Sequence, residues 1–534
     1  MSRIAGDTIT TASGAGVTAT RIALRLFRNR AIASGNLYKS RRDPWEAAPT
    51  PTGHMHSVSR IASRTTAPSP SGITTRAYSI RSGLRANMAS ATRIVIGAGD
   101  TGFWKARQDE ETAAKVSALL QADLEKHHVF FNAAGYHNHL VHQLLALYGT
   151  GAPESAIQAA FDANAGYQLK HTPARPHVVA ELQADWAAHA PKYLGRGAYY
   201  SDFLRFFQDE VDRRGWQAVV TSFLCAAPGD AASPARHMVQ RLFSGLVHPM
   251  IQLGFGLEWE QPAIVAQGLA QAAVHRNTLG DFFDRVDEAV AAAGRGGQQR
   301  GLSDICESLR AENGSLAAAA EWRDGDQSLY AGVLGRGLDE AVALCAQVRV
   351  REGDWDERVA EALHHAAYVA ASAAWKPPHV PKYDFFLIHA LNASVFLLAL
   401  DKPCFPAAAR VRILEHKMRY DVLQYAARGA PRLSPAHAAA YRDTNSDVLA
   451  ARAEDLLPRY HAVADDGHAI KAARALLLAQ RVSRRWAGRP WVRLRDDADW
   501  RGAHCMLLRG VEGDEPLWVR GAGFDQAWEG VPLL

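Results

Sequence analysis

The sequence predicts an all-α protein, and a few observations carry that reading. After about residue 110, apolar residues recur near i, i+3, i+4 and i+7, the spacing of one helix face. Glycine and proline break the pattern at helix-length intervals. Long β-branched alternation is nearly absent: only RIVIG at 93–97 and the C-terminal HCMLLRG and PLWVRG read as strands. The expected organisation is a disordered basic extension or transit-like segment over 1–87, a linker over 88–109 and one large helical domain over 110–534. A small hairpin or meander is expected near the C-terminus.

Taken in order, the helical segments are VSALLQADLEKHH at 116–128, NHLVHQLLALYG at 138–149, APESAIQAAFDANAGYQL at 152–169 and YYSDFLRFFQDEVDRRG at 199–215. HMVQRLFSGLVHPMIQLG at 237–254 follows, with a break expected at His248 because the residue before proline is biased away from helix. Then come ERVAEALHHAAYVAASAAW at 357–375, YDFFLIHALNASVFLLAL at 383–400 and AAARVRILEHKMRYDVLQYAARG at 407–429. Alanine is abundant between Ala263 and Ala373, which suits close helix packing. No repeat at a fixed period is found, which argues against a helical solenoid.

The chain has 534 residues, 48% hydrophobic and 22% charged, the range of a globular protein. Its formal net charge of +5 comes from the first 87 residues, rich in Arg, Ser and Thr, whose only acids are Asp7, Asp43 and Glu46. The remainder is slightly acidic, so no nucleic-acid partner is expected. The front segment has the composition of a mitochondrial transit peptide, and Met88 is an alternative start. The cytoplasm is the expected location, or mitochondria if the segment targets. Five dispersed cysteines without a CxxC read as free thiols, and no apolar run is long enough to span a membrane.

RIVIGAGDTG satisfies G-x-G-x-x-G at Gly97, Gly99 and Gly102. A dinucleotide site needs that turn inside a βαβ unit, with an acid after the second strand. HHVFF is followed by Asn132, Ala133 and Ala134, so the context fails. No HExxH, G-x-S-x-G, P-loop or Cys/His zinc pattern is present.

The chemistry points to histidines in apolar surroundings: His137, His139 and His142 in GYHNHLVHQLLALYG, His248 in GLVHPMIQLG and His389 in YDFFLIHALN. An unpaired buried polar group costs about 1–3 kcal/mol, and one metal ion would satisfy several rings. His139 and His142 share a helix face, with His137 in reserve. His275, closing IVAQGLAQAAVH, is a second reserve; His364 and His365 rank lower. Lys382 stands seven residues before His389, close to the same face if one helix runs through both. In an apolar pocket such a lysine serves as a base, a Schiff-base former or a carbamate; at a helix end it simply reaches solvent. Glu258 and Asp384 are the carboxylates expected to orient ligating rings, and Trp259, Tyr136, Phe385 and Phe386 are the expected walls of a flat pocket.

GYHNHLVHQLLALYGTGAPESAI, GLVHPMIQLGFGLEWEQPAIVAQGLAQAAVH and PKYDFFLIHALNASVF, in this order, resemble the questin oxidase family over roughly residues 110–490. The resemblance implies oxygen-dependent ring cleavage or oxygen insertion on an aromatic polyketide or quinone. It implies either Fe(II), held by histidines and a carboxylated lysine, or NADPH in a Baeyer–Villiger-type monooxygenase. Carried onto this chain, the metal set is His139, His142, His248, His389 and Lys382, with Lys382 and His389 catalytic. Gln252 stands where relatives often carry a second histidine after HP, a departure that bears on the substrate. A non-catalytic helical scaffold is the competing class.

Overall fold

The computed structural model describes residues 88–225, 234–294, 299–311, 314–441, 452–513 and 515–534; the extension expected over 1–87 lies outside them. The described chain is helical, with isolated β-bridges and no named strand. The elements that build the site are α1 (Glu110–Lys126), α2 (Leu140–Gly149), α3 (Tyr200–Arg214), α4 (His248–Glu258), α5 (Pro262–Val274), α6 (Trp355–Ala373), α7 (Phe385–Ser394), α8 (Ala407–Ala427), α9 (His468–Ser483) and α10 (Asp497–Glu512).

Local chemistry explains these boundaries. Asp109 caps α1 by accepting from Thr112 N at 2.7 Å, and Glu110 and Glu111 meet the positive end of the helix. Ala113, Val116, Leu120 and Leu124 then form its buried stripe. α2 has no polar side: all ten residues are buried, as for a helix surrounded by others. α4 and α5 pack so closely that a Cβ on Gly268 would stand 2.5 Å from Leu253 Cα, so only glycine fits there. In this interior α2, α4, α7 and α9 meet in a closed circuit, α2 against α4, α4 against α7, α7 against α9 and α9 against α2.

RIVIG is extended but pairs with no strand. The N–H groups of Ile94, Val95 and Ile96 donate to the side chains of Gln121, Ser117 and Gln261: Ile94 to Gln121 at 2.9 Å, Val95 to Gln261 at 3.0 Å and Ile96 to Ser117 at 2.8 Å. Ile94 and Ile96 are buried, so the stretch 88–109 is tied into the helical body. The glycine loop does not open a helix. Phe103 N donates to Glu258 Oε1 at 2.6 Å, and α1 starts only at Glu110.

The C-terminus corrects an expectation. HCMLLRG lies inside α10, where Asp496 and Asp499 form a reciprocal cap and Trp500, Ala503 and Leu507 make a helical stripe. PLWVRG is extended but pairs with the chain before α7: Phe385 N donates to Val519 O at 2.8 Å and Val519 N to Tyr383 O at 3.1 Å. The expected hairpin is therefore a helix followed by an extended tail.

Two predictions follow from the interior. Glu258 and Arg474 form a fully desolvated ion pair joining α4 to α9. Glu258→Ala leaves Arg474 without that partner and lowers the unfolding free energy by about 3–5 kcal/mol, read by urea denaturation; a loss under about 1 kcal/mol contradicts this role. The core also buries neutral histidines. Burial pushes His364, His365 and His504 down to about 3, and His416 well below its usual value. The unfolded chain therefore binds more protons below about pH 6.5, and each ring removes up to about 1.4 kcal/mol of stability per pH unit as pH falls. The urea midpoint drops steadily from pH 7 to pH 5; a flat profile contradicts the burial of neutral rings.

Candidate metal centre

His139 is the N-cap residue of α2, and His248 and His468 are the first residues of α4 and α9. The break before α4 is made by Gly245, Leu246 and Val247 at φ of 53°, 55° and 57°. A Cβ on Gly245 would lie 2.3 Å from His275 Nε2, so this turn needs glycine for space as well as conformation. His389 lies one turn into α7. The rings of His139, His248, His389 and His468 close a cycle, with successive centroids 5.0, 5.0, 4.9 and 4.7 Å apart.

Each ring has its Nδ1 committed. His248 Nδ1 donates to Gly245 O at 2.7 Å and His389 Nδ1 to Phe385 O at 2.6 Å. His139 Nδ1 donates to Asp466 Oδ2 at 3.0 Å, and His468 Nδ1 to the other oxygen of the same carboxylate. A neutral imidazole with a proton on Nδ1 carries a lone pair on Nε2. These lone pairs face one another, His139 Nε2 and His248 Nε2 at 2.8 Å, His389 Nε2 and His468 Nε2 at 3.2 Å. With His139 and His248 both neutral at pH 7, no proton is left to bridge their two Nε2 atoms. Adjacent nitrogens in a shell of metal bonds about 2.1 Å long have this spacing, so the donor set fits a transition-metal ion.

The electrostatics agree. Burial, then the charge of Lys471, pushes His139 down to about 3. Burial and neighbouring rings hold His248 and His389 well below their usual values, so the rings are neutral at pH 7. Desolvation works to raise the Asp466 carboxyl, but His468 and His139 outweigh it and hold it ionised. Burial lowers Lys471 to about 8 against Asp466 and Asp465. Its Nζ has no hydrogen-bond partner among the described residues, and its charge acts on His139, His142, His248 and His389.

The remaining predicted residues lie as follows. His142 Nε2 pairs with Gln252 Oε1 at 2.7 Å, outside the cycle, and its buried Nδ1 has no partner among the described residues. His137 pairs with His275, Nε2 to Nε2 at 2.9 Å; His137 also stacks on His248 at 3.8 Å. Because His137 Nδ1 is not committed, this ring can put its proton on Nε2 and satisfy His275 without a metal. Lys382 and His389 do not share a helix: α7 begins at Phe385, so the seven-residue phase argument fails, and Lys382 Nζ donates to Gly510 O at 2.7 Å.

Glu258 is held by Arg474 and Phe103 N. Asp384 caps α7 and accepts from Gly521 N and Ala522 N. Neither orients a ring of the cycle; Asp466 and two backbone carbonyls do. Phe385 stands 4.7 Å from His389, whereas Trp259 packs on Tyr148 and Phe386 lies under Arg428. His364 is bound to Ser483 and His365 faces Ser303, both in the core.

Sequence reasoning missed His468, Asp466 and Lys471. The available signal was DDGHAI: a glycine then a histidine opening an apolar helix, and His248 likewise follows a left-handed cap residue, Val247.

A sequence model described as questin oxidase-like matches residues 136–476, a span holding every ring of the cycle. The chain is 31% identical over 459 residues to the Baeyer-Villiger oxidase ptaJ of Pestalotiopsis fici, covering 84% of this chain and 100% of that protein. It is 33% identical to the oxidoreductase AflY of Aspergillus parasiticus, covering 81% and 86%. It is 32% identical to a questin oxidase of Aspergillus fumigatus, covering 78% and 93%. The histidine-bearing segments expected to mark that family are thus the ones the fold gathers in its interior, and the chain belongs to the questin oxidase-like family.

Proposed function

We propose that this protein uses molecular oxygen to cleave or insert oxygen into a flat, quinone-like aromatic polyketide, at an iron ion held by His139, His248, His389 and His468. The observation that carries this reading is the convergence of four Nε2 atoms from rings whose Nδ1 atoms are all committed to oxygen partners. Imidazoles suit iron as well as zinc or copper; family membership among oxidases favours a metal that takes part in redox chemistry. Bound there, iron supplies Lewis acidity and the means to activate oxygen.

The chain's own groups have separate tasks. Asp466 keeps the protons of His139 and His468 on Nδ1 and so keeps both Nε2 atoms available. The carbonyls of Gly245 and Phe385 do the same for His248 and His389. The family resemblance adds an anionic lysine carbamate to such a set, and Lys471, with a buried Nζ that has no partner among the described residues and an amine lowered to about 8, is the lysine suited to form one. Phe385 walls the cycle with an apolar face, and burial of the four rings excludes water from it. Asp466, with a side chain 35% exposed, marks the edge at which the cycle reaches solvent.

Metal analysis tests this directly. Protein purified without chelator carries near-stoichiometric iron by mass spectrometry. His248→Ala and His468→Ala lose it, Asp466→Asn binds it about 10–100-fold more weakly, and Lys382→Ala retains it. A parent free of transition metal, with substrate oxidation that consumes NADPH, overturns the iron reading.

A further inference from the structure

Aromatic rings stand on two sides of the histidine cycle, whose Asp466 is partly exposed. On one side Phe131 stacks on Tyr136 at 5.7 Å and meets Tyr167 at 5.4 Å. Tyr136 is exposed, and the next residue, His137, stacks on His248 of the cycle. On the other side Phe385 stands 5.1 Å from His468, and Trp518 stands 6.2 Å from the same ring. Charges near Phe385 reach the first side: desolvation and then the charge of Asp326 raise the Tyr136 hydroxyl, against the pull of Arg520.

Arg520 brings a cation to the Phe385 side. Its guanidinium carbon lies 4.3 Å over the Phe385 ring, whose centroid is 4.7 Å from that of His389. Guanidinium and histidine are therefore separated by no more than the two contacts combined, within the length of a fused three-ring aromatic. The side chain is 43% exposed, and its single hydrogen bond among the described residues runs from Nη1 to Asp326 Oδ2 at 2.6 Å. An arginine has five N–H donors in a planar fork, so this end-on pairing leaves most of the fork open toward solvent.

We propose that Arg520 is a specificity-determining residue: its open guanidinium edge pairs with an ionised oxygen, phenolate or carboxylate, of a flat aromatic substrate and lays that substrate against Phe385 toward the histidine cycle. Aromatic walls accept the ring system, and a planar fork matches a planar anion in two hydrogen bonds. Asp326 acts as the counter-ion that the substrate oxygen displaces. The proposal rests on the histidine cycle being the reaction centre.

The test is equilibrium titration of the full-length, metal-bearing protein with two probes, anthraquinone-2-carboxylate and its neutral amide anthraquinone-2-carboxamide. The parent binds the carboxylate more tightly. Arg520→Gln weakens the carboxylate by about tenfold or more and leaves the amide unchanged, Arg520→Lys restores part of the loss, and Asp326→Asn tightens the carboxylate. Equal effects on both probes, no effect of Arg520→Gln, or no binding of either probe to the parent overturns the proposal. Iron content, measured on the same samples, reports separately on the reaction centre: iron missing from the parent defeats that reading, while iron present with no carboxylate preference defeats only the role of Arg520.

Discussion

The site depends on one carboxylate shared between two rings. Asp466 accepts Nδ1–H from His139 and from His468, residues carried by α2 and α9. That fixes two tautomers at once, and the carbonyls of Gly245 and Phe385 fix the other two. If His139 placed its proton on Nε2, it would donate to His248 and the centre would become an ordinary hydrogen-bonded pair. Holding the proton on the far side leaves lone pairs in contact, an arrangement unfavourable by itself that persists because the surrounding fold imposes it.

That imposition comes from apolar packing. α2 is buried on all sides, α4 and α5 touch backbone to backbone, and the four ring-bearing helices form a closed circuit. The polar centre therefore sits where no single helix can move without dragging two others. Strain is accepted at the same place. Leu246 and Val247 adopt left-handed backbone angles, each at a cost of about 1–3 kcal/mol, and this turn is what aims His248 into the cycle.

The helices were legible because their apolar period and their Gly and Pro punctuation are local. The helix break at His248 was legible for the same reason, from Pro249. His139, His248 and His389 were grouped correctly, but the other readings that depend on long-range partners or on an exact helix start failed. Lys382 looked aligned with His389 only if one helix ran through both, and Asp384 caps the helix after Lys382. Glu258 looked available to a ring, yet Arg474, 216 residues further on, holds it. Asp466 and His468 carry no spacing motif, and their relation to His139 spans more than three hundred residues. HCMLLRG reads as strand by composition, but an Asp–Asp cap makes it helix.

The spread of the cycle along the chain has a kinetic consequence. His139 and His248 are 109 positions apart, and His389 and His468 are 79 apart. Ring pairs such as these meet only after long loops have closed, steps whose entropy must be met by helix packing rather than by the ion. A metal ion held as proposed would therefore have no early template to bind and would enter a chain already folded. Its affinity would then add to native stability by mass action instead of guiding assembly. Newly made chains would pass through an empty, correctly folded stage, and the supply of metal would set what fraction of them becomes competent.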